Sequence, residues 1–251
     1  MRPRLIPVLQ IMNGSLVKTK QFASYNYIGD PLNSTKIFND LCVDELIVLD
    51  IGISKFAEYD IDWQLVESLA AECFMPLTYG GGIKKVSDAK KLINIGVEKI
   101  VINSQAHFGL EIIEDISNCI GSSSTIVSID VRRTKDGYQL YSHSGRNKID
   151  HTLSDWISKL EASGVGEIMI NDIDREGTWS GLDMELLKLV LNLTKLPVIY
   201  SGGTSSWAEA QKIISRVDIG AIGVGNAAVY QKQLFGVLIN YPKEISASYT
   251  M

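Results

Sequence analysis

The chain has 251 residues, of which 45% are hydrophobic and 21% are charged, a balance typical of a globular protein with a sizeable core. Its formal net charge of −5 disfavours a general attraction to nucleic acid or to an anionic membrane surface. Cys42, Cys73 and Cys119 are widely spaced, odd in number and form no CxxC motif, which argues against a disulfide framework and a structural zinc site. The three histidines are equally scattered, so we expect no metal site.

The sequence also carries no pattern typical of membrane insertion or export. No apolar run approaches the roughly 18 residues that a membrane span requires. The apolar run after the two N-terminal arginines is short and is not followed by a small-residue cleavage site. We therefore expect a cytoplasmic protein with reduced, free thiols.

Short apolar runs rich in β-branched residues recur along the chain and predict eight strands. Each run is continuous rather than alternating, as expected for parallel strands that are covered on both faces. In chain order the runs are "LIPVLQI", "ELIVLDI", "MPLTYGGG", "KIVINS", "TIVSIDV", "EIMINDI", "LPVIYSGG" and "AIGVGN".

Amphipathic patterns lie between most of these strands and predict helices. Apolar residues recur at i, i+3, i+4 and i+7, and several patterns end at a glycine, in "DWQLVESLAAECF", "VSDAKKLINIG", "LSDWISKLEASG" and "SWAEAQKIISRV". Eight strands alternating with helices in about 250 residues predict a single (β/α)8 barrel domain over residues 1–251. A doubly wound open sheet gives the same alternation and is the alternative.

The second half of the sequence repeats the first. "DELIVLDI" aligns with "GEIMINDI", which places Glu45 over Glu167 at an offset of 122 residues. Gln10 precedes Asp130 by 120 residues, near the end of a similar apolar run. A repeat of half a barrel favours the closed cylinder over the open sheet. It predicts that Gln10 and Asp130 are equivalent positions at the C-terminal ends of strands, facing each other across the barrel mouth.

Loops rich in glycine and asparagine follow four of the predicted strands and indicate phosphate binding. They read "GGGIKK", "INSQA", "SGGTSS" and "GVGNAA", and the first is aligned with the third by pairing Gly81 with Gly203. Glycine lets backbone N–H groups approach an anion closely, and a following helix adds partial positive charge. Because the loops recur in both halves, we expect two sites and a ligand with a phosphate at each end. The alternative is that these glycines only shape tight turns.

Taken together, five segments resemble the cyclase subunit of imidazole glycerol phosphate synthase, the HisF family, from Arg4 to about Tyr230. They are "DELIVLD", "YGGGI", "GVEKIVIN", "GEIMINDIDREGTWSG" and "YSGGTSS". The resemblance implies a barrel that takes ammonia from a HisH-type glutaminase on its N-terminal face. It implies that ammonia crosses the barrel to a bisphosphate nucleotide at the C-terminal face, where an imidazole ring is closed. It implies no metal and no organic cofactor.

The resemblance also implies roles for individual residues. The family's two catalytic aspartates fall on Gln10 and Asp130, so one is replaced by a carboxamide, which cannot exchange protons as a carboxylate does. The matching phosphate- or substrate-binding positions are Lys18, Asp50, Gly81, Gly82, Asn103, Ser104, Ser144, Gly145, Asp174, Glu176, Gly202, Gly203, Gly225 and Asn226.

Four further positions match the family's charged ring at the barrel floor, through which ammonia enters. They are Arg4, Glu45, Lys99 and Glu167. A plain structural layer of ion pairs is the alternative, since this face of such barrels often serves stability. Three departures from the family accompany Gln10: Asn171 in place of Thr, Glu176 in place of Asp and Asn226 in place of Ser.

Other segments resemble the second-copy HisF proteins found beside surface-glycan genes, namely "LVKT", "YIGDPLN", "AECFMP", "YGGGIK" and "VLINYP". For that subgroup the resemblance implies that barrel and glutaminase supply ammonia to a separate ATP-dependent sugar amidotransferase. We therefore predict an ammonia-handling subunit in the amidination of an acetamido sugar. The alternatives are a cyclase that tolerates Gln10, a sugar-phosphate isomerase of the sister histidine-pathway family, and a non-catalytic scaffold that activates a bound glutaminase.

Overall fold

The computed structural model describes residues 3–52, 60–233 and 235–242. The strands are β1 (Arg4–Met12), β2 (Ser15–Lys20), β3 (Ser24–Gly29), β4 (Leu46–Asp50), β5 (Leu77–Gly80), β6 (Lys99–Ile102), β7 (Thr125–Thr134), β8 (Gly137–Ser142), β9 (Asn147–Ile149), β10 (Glu167–Asp172), β11 (Val198–Ser201) and β12 (Ala221–Val224).

Helices separate most of these strands. They are α1 (Pro31–Asp40), α2 (Trp63–Glu72), α3 (Val86–Asn94), α4 (Glu111–Ile120), α5 (Leu153–Ala162), α6 (Met184–Leu193), α7 (Trp207–Ile214) and α8 (Asn226–Val229), with 3-10 turns at Ser104–His107 and Ser122–Ser124. Within the part of the chain that is described, no helix has both the length and the apolar character needed to cross a membrane.

Eight of the strands form a closed parallel barrel. They neighbour one another in the order β1, β4, β5, β6, β7, β10, β11, β12, and β12 pairs back with β1 to complete the cylinder. Each of the eight apolar runs in the sequence contributes one of these strands. The predicted (β/α)8 barrel is therefore confirmed, and the open sheet is excluded.

The core lies in two layers, one on each side of the strands. The larger layer packs the outside of the cylinder against the helices. The inner layer fills the cylinder itself with Ile6, Val8, Ile47, Val101, Ile126, Met169, Ile199 and Ala221. Because both faces of each strand are buried, apolar residues run continuously along it instead of alternating.

Side-chain caps start several of the outer helices. Asp30, Thr152 and Ser206 each accept a hydrogen bond from a backbone N–H three residues further on. Asp62 caps α2 and Asp183 caps α6 in the same way, at corresponding points of the two halves. Such caps satisfy amide groups that the helix leaves unpaired, and each typically contributes about 1 kcal/mol.

Two antiparallel hairpins rise above the barrel rim and were not predicted. β1 runs beyond the barrel and folds back onto β2, which pairs with β3. β7 likewise folds back onto β8, which pairs with β9. Gln10 pairs with Val17 in the first hairpin, and Asp130 pairs with Tyr141 in the second. The internal repeat therefore extends to the hairpins, with residues 10 and 130 at the matching point of each.

The glycine loops repeat with an offset of 121 residues. Gly81 has φ 123°, and a Cβ there would lie 2.4 Å from the carbonyl oxygen of Asp50. Gly202 has φ 126°, and a Cβ there would lie 2.6 Å from the carbonyl oxygen of Asp172. Gly202 is therefore the counterpart of Gly81, and the pairing of Gly81 with Gly203 was wrong. The segment from Asp172, at the end of β10, to Gly202 is therefore one residue shorter than the segment from Asp50, at the end of β4, to Gly81.

An extended segment follows α8 on the outside of the barrel. The backbone N–H of Leu238 donates to Val229 at 2.9 Å, which ties this segment to α8. The ring of Tyr241 packs edge-on against Trp207, the first residue of α7. The Tyr241 hydroxyl also reaches Asp44, just before β4, at 3.5 Å. The segment therefore runs from the rim of the barrel to its floor.

Candidate functional site

A cavity of about 580 Å³ opens at the C-terminal ends of the barrel strands. Every predicted catalytic and phosphate-binding position lines it except Gly145 and Asp174. The lining positions among them are Gln10, Lys18, Asp50, Gly81, Gly82, Asn103, Ser104, Asp130, Ser144, Glu176, Gly202, Gly203, Gly225 and Asn226. Segments distant in sequence therefore meet at one mouth.

Asp174 joins the loop after β10 to β7 beside the mouth instead of lining the cavity. Its carboxylate accepts from Nη1 of Arg132 at 3.3 Å and from the backbone N–H of Arg133 at 2.8 Å. A Cβ at Gly145 would lie 3.2 Å from Ile173 and 3.5 Å from Arg132, in the same junction. These contacts hold the β7–β8 hairpin against the loop that follows β10.

Asp130 is a buried carboxylate on β7 that faces the cavity. Burial raises its pKa to about 6, against the opposing effect of hydrogen-bond donors from Asn171 and Asn103. Nδ2 of Asn171 donates to Oδ1 of Asp130 at 2.8 Å. Nδ2 of Asn103 donates at 2.8 Å to Oγ of Ser128, which lies two residues before Asp130 on β7. A carboxyl group with a pKa near 6 can both take up and release a proton close to neutral pH.

Gln10 lies at the matching point of β1, but its amide contacts the neighbouring hairpin. Oε1 accepts from the backbone N–H of Thr19 at 2.9 Å and from the Thr19 hydroxyl at 3.0 Å. It also accepts from Nζ of Lys18 at 3.3 Å. Nε2 donates to Oε1 of Glu176 at 3.4 Å. Both ends of the amide are therefore occupied by protein groups.

Lys18 and Glu176 form a buried ion pair between the first hairpin and the loop after β10. The Lys18 side chain is 6% exposed and that of Glu176 is 9% exposed. Nζ of Lys18 also donates to the carbonyl of Thr19 at 3.1 Å, so protein acceptors match its three hydrogens. A buried pair is tolerable when further hydrogen bonds satisfy both groups, as they do here.

Two sets of loops at the mouth have features suited to phosphate. Gly81 and Gly82 follow β5 beside Asn103 and Ser104, and both glycines have positive φ. Lys84 lines the cavity just beyond this loop. The glycines leave backbone N–H groups accessible, and the lysine supplies positive charge, a combination that attracts anions.

The second set lies across the mouth, after β11 and β12. Gly202 and Gly203 have positive φ. Gly225 lies close to the side chain of Lys18, since a Cβ at residue 225 would be 2.9 Å from Cε of Lys18. Oδ1 of Asn226 is buried and has no hydrogen-bond partner among the described residues. An unpaired buried oxygen at the cavity wall is suited to a ligand that donates a hydrogen bond.

Among the aromatic and basic side chains at the rim, Phe22, Phe108, His143 and Arg146 were missed by the sequence analysis. Phe22, Phe108, His143 and Trp179 all line the cavity, and Arg146 lies among them. Phe108 packs edge-on against His143, with ring centroids 6.0 Å apart. These residues come from four different loops, so no local spacing in the sequence indicates that they meet.

The four predicted floor residues form a closed ring of ion pairs at the opposite end of the barrel. Arg4 binds both Glu45 and Glu167. Nζ of Lys99 lies 3.1 Å from Glu167 and 3.7 Å from Glu45. The glutamate side chains are 4% and 5% exposed, whereas Arg4 and Lys99 are 18% and 17% exposed. Burial alone would lower the pKa of Arg4, but the two carboxylates outweigh it and raise the pKa.

Apolar side chains separate this ring from the mouth cavity. Ile6, Ile47 and Ile126 belong to the inner layer of the barrel. Val8 and Val101 belong to the same layer and also line the cavity. The cylinder is therefore charged at its floor, apolar along its length and polar at its mouth.

Comparison with known proteins decides the family. The model of the family described as "Histidine biosynthesis protein" matches residues 4–234. The "Putative imidazole glycerol phosphate synthase subunit HisF" of Leptospira borgpetersenii is 40% identical over 244 residues, 96% of each chain. A Pseudomonas aeruginosa protein of the same description, designated hisF2, is 39% identical over 242 residues, again 96% of each chain. The chain belongs to the HisF family.

Relatives whose description does not include the word "putative" are similar to the chain as well. The imidazole glycerol phosphate synthase subunit HisF of Lactococcus lactis is 38% identical over 212 residues, 84% of this chain and 82% of the relative. Percentage identity alone therefore does not separate the relatives described as putative from those that are not.

Two of the four departures from the HisF family contact each other, and a third contacts Asp130. Gln10 and Glu176, which both stand where the resemblance places aspartates, are joined by the 3.4 Å hydrogen bond between them. Asn171, in place of a threonine, donates to Asp130. Glu176 is one methylene longer than aspartate, and this length helps it to reach Lys18. The replacements at positions 10, 171 and 176 therefore alter two local networks, and Asn226 belongs to neither.

Proposed function

We propose that the chain is the ammonia-conducting barrel of a glutamine amidotransferase assembly. In this proposal a HisH-type glutaminase binds the floor of the barrel, and ammonia crosses the cylinder to the mouth. A separate ATP-dependent sugar amidotransferase then uses it to convert an acetamido sugar into an acetamidino sugar for a surface glycan. The carrying observation is that Gln10 cannot serve as an acid or base and that both the oxygen and the nitrogen of its amide bond to protein groups, namely Thr19, Lys18 and Glu176.

The floor ring supports the entry of ammonia. Arg4 and Lys99 are partly exposed while Glu45 and Glu167 are buried, so the cations form the outer part of the ring. Beyond the ring, the apolar inner layer favours a small neutral molecule over a charged one, because an ion there would lose its hydration. Ammonia can cross such a layer, whereas ammonium is excluded.

The mouth supports delivery more than ring closure. Ring closure with loss of a carboxamide nucleotide requires several proton transfers, which the HisF family assigns to two carboxylates. Here Asp130 is a carboxylate and residue 10 is an amide. Loss of a positioned acid or base typically lowers a rate by about 10²- to 10⁴-fold. Delivery of ammonia requires no such pair, and Asp130 alone suffices to orient an amine.

The glycine loops support binding of a phosphorylated small molecule at the mouth. Both sets keep positive-φ glycines, and the cavity of about 580 Å³ accommodates a ligand of nucleotide size. In the amidination proposal this ligand is the phosphorylated sugar acceptor or a ligand that signals its presence to the glutaminase.

Cyclase activity is the second candidate, and Asp130 favours it. Its pKa of about 6 is suited to proton transfer, and both phosphate loops are present. The two candidates differ in one assay, in which purified chain is given ammonium salts and the bisphosphate nucleotide. We expect turnover at least about 100-fold below that of a HisF protein with both aspartates. Turnover within tenfold of such a protein would overturn the amidination proposal in favour of the cyclase.

Assembly and conduction are tested with the glutaminase partner. We expect the chain to form a complex with a HisH-type glutaminase and to raise its glutamine hydrolysis. In the complete assembly, Lys99→Met should lower glutamine-driven amidination more than ammonium-driven amidination. Lys188→Met, at an exposed position on α6, is the matched control and should leave the ratio unchanged. An equal loss with both nitrogen sources would contradict conduction through the floor.

A non-catalytic scaffold predicts a different result. If the barrel only activates the glutaminase, stimulation of glutamine hydrolysis survives Asp130→Asn and no amidinated product depends on the barrel. We expect stimulation to survive but amidination to fall at least tenfold, because Asp130 is the buried carboxylate that faces the cavity.

A further inference from the structure

The first hairpin is fastened to the loop after β10 by hydrogen bonds that cross the mouth. The backbone N–H of Gln21 donates to the carbonyl of Glu176 at 2.9 Å. The backbone N–H of Phe22 donates to Oε2 of Glu176 at 3.3 Å. Nε2 of Gln21 donates to the carbonyl of Asp174 at 2.8 Å. The hairpin is thus held at its tip by a loop about 155 residues away in sequence.

The two segments approach so closely that one position needs glycine. Gly177 has φ 74°, and a Cβ there would lie 2.3 Å from the carbonyl oxygen of Thr19. A side chain would push the hairpin away from the loop. The contact is therefore tight along its length and is not limited to the tip.

Gln10 lies beneath this contact and reaches both partners. Its Oε1 accepts from Lys18 and Thr19 of the hairpin, and its Nε2 donates to Glu176 of the loop. The charges of Lys18 and Glu176 balance each other, so the central group has to be neutral and has to carry both a donor and an acceptor. Glutamine meets all three requirements.

We propose that Gln10 is a positioning residue that straps the β2–β3 hairpin over the mouth through Lys18 and Glu176. The strap, defined as Gln10, Lys18, Thr19 and Glu176, forms without a ligand. It holds Phe22 at the rim of the cavity and withdraws the ammonium group of Lys18 from any anion that binds there. The strap depends only on groups within the chain, whether or not ammonia reaches the mouth.

The strap predicts that aspartate at position 10 is disfavoured beside glutamate at position 176. The Gln10 amide nitrogen lies 3.4 Å from a Glu176 oxygen, so a carboxylate at position 10 would place two anions beside one lysine. Like charges at this distance in a buried site repel strongly, and one must be protonated or move away. Aspartate is also one methylene shorter, so the Thr19 amide would lose its acceptor.

Site-resolved hydrogen exchange of the full chain tests the strap directly. The reporters are the backbone amides of Thr19, Gln21 and Phe22, which donate to Gln10 and Glu176. We expect protection at these amides in the unmodified protein. Gln10→Asp should raise their exchange rates by about tenfold or more, because repulsion opens the hairpin. Gln10→Asn, which is as short as aspartate but uncharged, also removes the acceptor of the Thr19 amide, but it should raise exchange at Gln21 and Phe22 by about threefold or less.

Rescue separates positioning from a general loss of packing. The double variant Gln10→Asp and Glu176→Gln restores a single carboxylate beside Lys18, so exchange at Gln21 and Phe22 should return to within about threefold of the unmodified protein. The amides of β8, in the equivalent hairpin above Asp130, should keep their rates in every variant.

Three results would overturn the strap. The first is hydrogen exchange at Thr19 and Gln21 of the unmodified protein at the rate of an unstructured peptide. The second is equal exchange at Gln21 and Phe22 in Gln10→Asp and Gln10→Asn, and the third is a double variant in which these two amides exchange as fast as in Gln10→Asp. If Gln10→Asp also exposes β8 by unfolding the barrel, Gln10→Asn decides: it must raise exchange at Thr19 without raising it in β8.

Discussion

In the first half of the barrel, the strand at the mouth carries Gln10 beside Leu49; in the second half, the equivalent strand carries Asp130 beside Asn171. Leucine has no donor, so the Gln10 amide finds its partners in the hairpin above. Asparagine donates to Asp130 and leaves the carboxylate facing the cavity. The same backbone therefore supports a structural amide in one half and an ionisable group in the other, and their neighbours differ accordingly.

A pair of buried tyrosines shows the same divergence below the rim. The Tyr200 hydroxyl donates to Asp172 at 2.7 Å and accepts from the backbone N–H of Asp183 at 3.2 Å. Its counterpart Tyr79 is also buried, but its hydroxyl has no hydrogen-bond partner among the described residues. A shared core position is thus kept in both halves, while its polar contacts are complete in the second.

The floor ring differs between the halves as well. The first half supplies Arg4 and Lys99 from β1 and β6 and Glu45 from just before β4, whereas the second half supplies Glu167. Both cations thus come from one half. The ring is therefore a feature of the complete cylinder, and neither half alone balances its charges.

Removal of Arg4 is expected to have the largest effect. Arg4→Met leaves Glu45 and Glu167 buried with only Lys99 to compensate them, which should cost about 3 to 5 kcal/mol in the free energy of unfolding. Urea denaturation measures it, and Arg216→Met at an exposed position should change stability by less than about 0.5 kcal/mol. A cost for Arg4→Met below about 1 kcal/mol would show that water solvates the floor glutamates.

The two rim residues should differ in their dependence on pH. The folded pKa of Asp130, about 6, is above its unfolded value, so the folded state binds more protons between about pH 4 and 6 and loses stability as pH rises through that window. Asp130→Asn should therefore stabilise the protein by up to about 3 kcal/mol at pH 8, and the gain should vanish below about pH 4.

Gln10→Asn is the matched comparison for that experiment, because an amide does not titrate. Its effect on stability should be the same at pH 8 and pH 4. Thermal or urea unfolding across this range measures both variants. A gain in stability from Asp130→Asn that does not change with pH would mean that burial does not raise the pKa of Asp130.

The tyrosine pair is expected to give the smallest difference. Tyr200→Phe removes two buried hydrogen bonds, one of them to a carboxylate, and should cost about 2 kcal/mol in the free energy of unfolding. Tyr79→Phe removes a hydroxyl without a described partner and should change stability by less than about 0.5 kcal/mol. Equal costs for the two substitutions would show that Tyr79 has a bound water or another partner.

Much of the fold could be predicted because its signals are local. Continuous apolar runs identified all eight barrel strands, and a repeat of half the length favoured a closed cylinder. The hairpins were missed because β2, β3, β8 and β9 carry no long continuous apolar run. The pairing of Gly81 with Gly202 was missed because its offset of 121 residues differs by one from the 122 of the aligned strands. That difference depends on the length of the segment between strand and glycine loop, which the motif alone does not reveal.

The site was predictable as a set of residues but not as a set of contacts. Glycine loops and the strand-end residues Gln10 and Asp130 identified the mouth. The partners of Gln10 could not be inferred, since Glu176 lies 166 positions away and Lys18 was expected to bind a ligand. The floor ring followed from family resemblance, because four charged residues on separate strands form no local pattern.

The extended segment after α8 links the two ends of the cylinder. Its hydrogen bond to Val229 supports the short helix that begins at Asn226, on the cavity wall, and its Tyr241 reaches Asp44 below β4. Rim and floor, otherwise separated by the height of the strands, thus share one strip of backbone on the outer surface. A protein that seats itself around Asp44 would press on the same strip that supports a wall of the ligand chamber.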